Sequence, residues 1–187
     1  YQTDQVERDL RLFGGRCGQY VFISSASAYQ KPVRSLPVGE DTPLDNPYWD
    51  YSRAKAACER VVLDAHAATG FPVTIVRPSH TYDQRAIPLH FSGRNGSWSV
   101  VKRIVEGRPV VIHGDGEALW TFTWNDDFAA GFCGLFGNAD SIGRAVNITS
   151  DTSITWNEAF RTIADVVGGQ LDAVHVASET LVRWRPE

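Results

Sequence analysis

Hydrophobic and polar positions along the first half of the chain follow two periods in turn. Residues 4–13 repeat apolar side chains at helical spacing, and the glycine pair 14–15 ends that segment. The runs 20-YVFI-23 and 73-VTIV-76 are continuous and apolar, as is typical of parallel strands covered on both faces. Between them, a turn-rich loop leads into a predicted helix over 48–68. The first half is therefore predicted to run helix, strand, helix and strand.

The second half continues the alternation with shorter elements. It opens on a loop rich in Gly, Ser and Arg at 83–97, which fits either a mobile flap over a ligand or a poorly ordered insertion. The pattern then predicts, in chain order, a helix near 98–106, strands at 109–112 and 121–124, a helix at 126–136, a strand at 145–148, a helix at 155–167 and a strand at 171–176. Strands that alternate with helices indicate an α/β fold with a mostly parallel sheet.

Composition and charge narrow the classes of protein. At 187 residues, of which 43% are hydrophobic, the chain is long enough for one domain with its own core or for part of a larger one. It contains neither an apolar run of about 18 residues nor a signal peptide, so no membrane association is predicted. The net charge of −4 argues against nucleic acid as a partner. Three cysteines without metal-type spacing indicate reduced thiols in a cytoplasmic protein.

Polar side chains follow the first predicted strand and line the next helix. The segment 24-SSASAY-29 lies at the carboxyl end of strand 20–23, the edge at which open α/β sheets bind ligands. Tyr51 and Lys55 are four residues apart and therefore share one helix face. A phenol ionises at about pH 10, and a neighbouring ammonium lowers that pKa, so the pair could exchange a proton with an alcohol during hydride transfer. By spacing alone, two solvated polar residues remain the alternative.

Three ordered segments carry a resemblance to a known family. They are 24-SSASAY-29, 47-PYWDYSRAK-55 and 77-RPSHTY-82, and 113-HGDGEALWTFTWNDDFAAGF-132 follows them. Together they resemble the extended short-chain dehydrogenase/reductase superfamily, in its NAD-dependent epimerase/dehydratase branch. The resemblance implies a doubly wound parallel, Rossmann-like sheet with a smaller α/β substrate lobe. It places the C-terminal part of the dinucleotide-binding domain at 1–82, and most of the substrate lobe at 83–187, with some segments returning to the first domain.

The resemblance also implies roles for individual residues. Tyr51 would be the acid/base, Lys55 would lower its pKa and bind the cofactor ribose, and Ser25 would hydrogen-bond the reacting oxygen. The remaining expected contacts are cofactor binding by Ser24, Pro78 and Ser79, and substrate binding by Ser27, His80 and Trp120. The cofactor would be NAD or NADP, with NAD favoured, and the partner a small, sugar-like molecule bearing a hydroxyl. The helices at 4–13 and 48–68 would form a homodimer interface.

Two features depart from the family pattern. The chain has no Gly-x-x-Gly-x-x-Gly loop for a dinucleotide pyrophosphate, and it contains no methionine. We therefore expect a C-terminal portion of a longer protein, whose first strands precede Tyr1; a gene that has lost its cofactor half is the alternative. Trp120 stands where nucleotide-sugar members carry a diphosphate-binding arginine, so either it packs in a core or it closes a pocket. Candidate replacements for that arginine are Arg85, Arg94 and Lys102.

Other functions stay open at this point. The segment 145-AVNITSD-151 and Trp120 also resemble a chloroplast RNA-binding branch of the same superfamily, and a scaffold without turnover is a third reading. The acidic net charge and the presence of Ser25, Tyr51 and Lys55 argue against RNA binding, and a scaffold predicts that Tyr51→Phe leaves function intact. No metal site is predicted, because the remaining histidines show no ligand spacing.

Overall fold

The computed structural model describes residues 2–89 and 96–184. In chain order the strands are β1 (Tyr20–Ile23), β2 (Val73–Pro78), β3 (His80–Tyr82), β4 (Val110–His113), β5 (Leu119–Trp124), β6 (Ala145–Ile148), β7 (Ser153–Thr155) and β8 (Ala173–Val176). The α-helices are α1 (Thr3–Phe13), α2 (Asp50–Thr69), α3 (Trp98–Val105), α4 (Asn125–Cys133), α5 (Trp156–Val167) and α6 (Ser178–Trp184). The chain forms two compact units, Tyr1–Ser79 with Asp126–Thr149, and His80–Asn125 with Ser150–Glu187.

The first unit is built on a parallel sheet of three strands. Strand β2 lies in the middle, paired in parallel with β1 on one side and with β6 on the other. Five successive residues of β2, 73–77, are buried, which explains its continuous apolar pattern. Helices α1 and α2 pack against each other, and the core of this unit joins them to the sheet through Val6, Phe22, Cys58, Val62, Phe71, Val73 and Ile75.

The second unit contains two small sheets around an aromatic core. Strand β5 pairs in parallel with β3 and antiparallel with β7, while β4 pairs in parallel with β8. Trp156 and Phe160 of α5 are each 1% exposed, and they pack with Ile104 and Ile112. Burial of such large side chains contributes roughly 1.5–3 kcal/mol each and is the main source of this unit's stability.

The predicted elements are confirmed in kind, with several corrections. Strands 20–23 and 145–148 have the predicted bounds, and the predicted helix over 48–68 is α2. The helix predicted at 126–136 instead ends at Cys133, where Gly134 follows. The predicted α/β architecture with parallel strands is confirmed: in the described residues the named strands form three sheets, and β5 with β7 is the one antiparallel pair between them.

Two further observations concern regions singled out by the sequence. Part of the loop predicted at 83–97, residues 90–95, lies outside the described residues. At the start of this loop, the Asp83 carboxylate stabilises a turn by accepting hydrogen bonds from the backbone N–H groups of Arg85 and Ala86. Among the helices of residues 2–89 and 96–184, none combines the length and the apolar character that a membrane span requires.

Candidate active site

The carboxyl ends of β1 and β2 form one edge of the first unit's sheet, and α2 is fastened to that edge. Because the two strands are parallel neighbours, the segment after β1 and the end of β2 emerge on the same side. Lys55 of α2 donates a hydrogen bond of 2.6 Å from Nζ to the carbonyl oxygen of Ile23, the last residue of β1. This bond holds the second turn of α2 at the strand end.

Tyr51 and Lys55 lie on one face of α2, as their spacing predicts. The Lys55 ammonium is 5.6 Å from the centre of the Tyr51 ring and 5.1 Å from that of Phe22. Tyr51 is half-buried, with its ring centre 4.8 Å from that of Trp49. Lys55 is 8% exposed, and burial lowers its pKa. The arrangement places a cation beside a phenol at the end of a parallel strand.

The serine segment after β1 is connected to α2 by a chain of hydrogen bonds. Ser25 caps a short 3-10 helix, Ala26–Ala28: its Oγ accepts from the Ser27 N–H at 3.1 Å and lies 2.9 Å from Ser27 Oγ. Ser52 donates from its hydroxyl to Ser27 Oγ at 3.0 Å. Ser52 directly follows Tyr51 on α2, so these bonds set the serine segment against the first turn of that helix.

Asn46 closes the far end of that chain. Its Nδ2 donates to the Ser27 carbonyl oxygen at 2.8 Å and to Ser52 Oγ at 3.4 Å, while its Oδ1 accepts from the Tyr48 N–H at 3.1 Å. A carbonyl requires a donor and an N–H requires an acceptor, so these partners fix which side of the amide is nitrogen.

The other residues expected near a cofactor also lie at this edge. Ser24 is 2% exposed, and its N–H donates to the Val76 carbonyl oxygen at 2.7 Å, which extends the β1–β2 ladder by one residue. Its hydroxyl is buried without a hydrogen-bond partner among the described residues. Pro78 ends β2 and Ser79 follows it, both half-buried.

A buried ion pair lies one turn beyond Lys55. Glu59 is fully buried, and its carboxylate accepts two hydrogen bonds from Arg77 of β2, at 3.0 Å from Nε and 2.6 Å from Nη2. Arg77 also donates from Nη1 to the Tyr29 hydroxyl at 2.9 Å, and Tyr29 donates to Asn147 Oδ1 of β6 at 2.7 Å. Burial raises the pKa of Tyr29, and Arg77 offsets part of that increase. These contacts connect α2, two strands of the sheet, β2 and β6, and the end of the serine segment.

Two of the predicted substrate residues belong to the second unit. His80 begins β3, with its ring centre 5.6 Å from that of Phe122, and burial lowers its pKa. Trp120 of β5 is half-buried against the core of the second unit, its ring centre 5.9 Å from that of Trp156. The sequence left two roles open for Trp120, core packing or closing a pocket, and the structure shows the core contacts.

The suggested replacements for a diphosphate-binding arginine have different surroundings. Arg85 is exposed at the start of the loop, and Lys102 is exposed on α3 with its ammonium 3.8 Å from Glu106. Arg94 lies outside the described residues. No group of three or more His, Cys, Asp or Glu side chains able to hold a metal ion occurs in the described part of the chain.

Sequence reasoning missed three residues that the structure brings to this edge. Glu59 lies four residues after Lys55 and shares its face, so the i, i+4, i+8 spacing could have revealed it. Ser52 lies three residues before Lys55 on the same buried face of α2, and Asn46 lies in a loop. Their contacts depend on how the loop folds over α2, which no local pattern encodes.

Comparison with known proteins gives a consistent picture. The model of the NAD dependent epimerase/dehydratase family matches residues 10–149. The 2'-dehydrokanamycin reductase of Streptomyces kanamyceticus is 28% identical over 85% of this chain, and an uncharacterized UDP-glucose epimerase of Bacillus subtilis is 27% identical over 80%. The chain spans less than half the length of these two relatives, 44% and 45%.

A solved structure supports the same fold. The UDP-glucuronic acid 4-epimerase of Bacillus cereus, in complex with UDP-glucuronic acid and NAD, superposes with a TM-score of 0.78 at 22% identity. The match covers 94% of this chain and 54% of that protein. The α/β architecture with parallel strands predicted from the sequence is therefore confirmed.

Proposed function

The chain belongs to the NAD-dependent epimerase/dehydratase family, and from that membership we propose that it carries the acid/base residues of an NAD(P)-linked oxidoreductase or epimerase acting on a hydroxyl of a sugar-like substrate. The observation that carries the proposal is the meeting of three features at one sheet edge. These are the phenol of Tyr51, the buried ammonium of Lys55 bonded to the end of β1, and the serine hydroxyls hydrogen-bonded to α2.

Each side chain then has a definite task. Tyr51 takes a proton from the substrate hydroxyl or returns it, and the Lys55 ammonium stabilises the phenolate left behind. Ser25 hydrogen-bonds the reacting oxygen, and Ser27 contacts the substrate beside it. The 2.6 Å bond from Lys55 to the Ile23 carbonyl keeps the ammonium beside the ring, because the side chain cannot turn away without losing a charge-assisted hydrogen bond.

The residues at the edge fit a nicotinamide dinucleotide. Lys55 has donors for a ribose hydroxyl, and Ser24 has a buried hydroxyl with no protein partner in the described residues, which is costly unless another group satisfies it. Pro78 and Ser79 border the same edge. When bound, the nicotinamide accepts or returns a hydride. NAD is favoured over NADP because the epimerase from Bacillus cereus is described with NAD.

The rest of the proposal concerns the substrate, the domains and the assembly. Nucleotide sugars are the proposed substrate class, since the similar epimerases are named for UDP-sugars. We also propose substrate contacts by Ser27, His80 and Trp120, and domains at 1–82 and 83–187, as the resemblance implies. A homodimer through α1 and α2 and a cytoplasmic location complete the proposal; the dimer rests on the resemblance, and the location on cysteine usage in the sequence.

Turnover by the complete protein that contains this chain tests the proposal. Purified protein is given NAD and then UDP-glucose or UDP-glucuronate, and conversion of the sugar is followed together with cofactor binding. We expect Tyr51→Phe to reduce turnover by about 100-fold or more while NAD binding persists, because it removes one general acid/base.

The matched control is Tyr48→Phe, three residues earlier and 77% exposed. It should leave turnover unchanged. If Tyr51→Phe behaves like this control on a substrate that the wild type converts, Tyr51 is not the acid/base of the reaction and the proposal is wrong.

A further inference from the structure

The hydroxyl chain at the sheet edge has a direction, and Asn46 determines it. An amide NH2 group can donate but not accept, so Ser52 Oγ must be the acceptor in its 3.4 Å contact with Asn46 Nδ2. Ser52 therefore keeps its single hydrogen for Ser27 Oγ, 3.0 Å away. The order of donation runs from Asn46 to Ser52 and then to Ser27.

Counting hydrogens shows what this direction achieves. Ser52, Ser27 and Ser25 carry three hydroxyl hydrogens, and two contacts join their oxygens, Ser52 to Ser27 and Ser27 to Ser25. One hydrogen is left over. Since Ser52 donates its hydroxyl hydrogen to Ser27, the spare hydrogen lies on Ser27 or Ser25, at the end of the hydrogen-bond chain away from Asn46.

Resting on the proposed function, we propose that Asn46 and Ser52 are positioning residues that keep this spare hydrogen available for donation to the reacting oxygen of the substrate. The burial of Ser52, which is 1% exposed, protects the chain from competing water. The hydroxyl of Ser25 or Ser27 that carries the spare hydrogen then donates without having to break a bond first, which is the preorganisation that stabilises developing negative charge on oxygen.

Asn46→Asp reverses the direction with almost no change of shape. It also loses the 2.8 Å bond to the Ser27 carbonyl oxygen, a loss that the double variant with Ser52→Ala shares. A carboxylate accepts and cannot donate, so Ser52 turns its hydrogen toward the new side chain, Ser27 donates to Ser52, and Ser25 donates to Ser27. No spare hydrogen remains for a substrate. The oxygen that accepts from the Tyr48 N–H is retained, so the turn leading into α2 is preserved.

The test compares three variants in the complete protein with NAD and UDP-glucose. We expect Asn46→Asp to lower kcat about 100-fold with little change in KM, the loss typical of one oxyanion donor. Ser52→Ala leaves two hydroxyls and one contact, hence still one spare hydrogen, and should cost roughly 10-fold or less. The double variant disconnects the carboxylate from the chain and should recover most of the kcat lost in Asn46→Asp. Thr69→Ala, which removes a hydroxyl bonded to Ala65 at the other end of α2, is the control.

A second readout needs no substrate. The carboxyl introduced by Asn46→Asp is titrated by NMR with and without Ser52→Ala. A hydrogen bond donated by Ser52 stabilises the charged form, so removing that hydroxyl should raise the carboxyl pKa. An unchanged pKa, or a double variant as slow as Asn46→Asp alone, would overturn the proposed direction while leaving the role of Tyr51 intact. Failure of the Tyr51→Phe test would instead reject the proposed function, and the titration would still decide the direction of the chain.

Discussion

At the scale of single residues, the buried charges of the first unit are arranged in a way that only the folded chain reveals. Arg77 and Glu59 are 5% and 0% exposed, and each supplies the charge that the other needs in order to be buried. The Arg77 guanidinium also donates hydrogen bonds to the Tyr29 hydroxyl and to the Glu40 carbonyl oxygen. The sequence presents Arg77 as part of the segment 77–82 and gives no hint of its partner.

Removing one member of that pair should be costly. We expect Glu59→Gln or Arg77→Met to lower the free energy of unfolding by about 3–5 kcal/mol, because a buried charge is left unpaired. Urea denaturation measures the loss, and Arg53→Met, which breaks the exposed contact with Asp50, should cost less than about 1 kcal/mol. Equal losses for the buried and the exposed pairs would mean that the Arg77–Glu59 ion pair does not stabilise the fold more than a surface pair does.

At the scale of elements, sequence patterns succeeded where burial leaves a periodic signal. The continuous run of β2 was readable because residues 73–77 are all buried, and α1 was readable because Val6 and Leu10 face the core at helical spacing. The run of β1 was readable as well, although its burial is uneven. The three-residue strands β3 and β7 were missed, since so short a segment has no period. In the candidate site, the spacing of Tyr51 and Lys55 was readable, whereas the loop-dependent contacts of Ser52 and Asn46 were not.

The turn at 113–116 gives a prediction at this scale. Gly116 has a φ of +76°, and a Cβ there would lie 2.2 Å from Asn157 Oδ1, whose side chain holds the turn to α5. Gly116→Ala should therefore destabilise the protein by roughly 2–5 kcal/mol, from the left-handed backbone and the steric clash together. Gly107 has a φ of +63° with nothing within 4 Å, so Gly107→Ala isolates the backbone part, about 1–2 kcal/mol. Similar thermal shifts for the two variants would show that Asn157 gives way.

At the scale of the whole molecule, the two units differ in how they should respond to pH. The histidines with shifted titration, His80 and His113, both belong to the second unit, and burial lowers the pKa of each. Because protonation is then harder in the folded state than in the unfolded chain, full stability is present above the unfolded pKa of about 6.5 and is lost as the pH falls through the lower folded values.

We therefore expect the urea concentration at which half of the protein is unfolded to decrease as the pH is lowered from about 6.5 to about 5. His113→Gln removes one of the two titrating groups, and it also alters the ring contact with Trp156. The dependence of the urea midpoint on pH is therefore compared between variant and wild type, rather than the stability at one pH. A slope as steep as in the wild type would exclude His113 as a contributor.

The central claim is that Tyr51 moves the proton that accompanies hydride transfer. Single-turnover absorbance of the nicotinamide, in the complete protein mixed with UDP-glucose or UDP-glucuronate, tests it most directly. We expect wild-type protein to convert bound NAD to NADH and Tyr51→Phe, with NAD bound to the same extent, to do so at least about 100 times more slowly. Equal rates of NADH formation in the two proteins would show that Tyr51 does not move this proton.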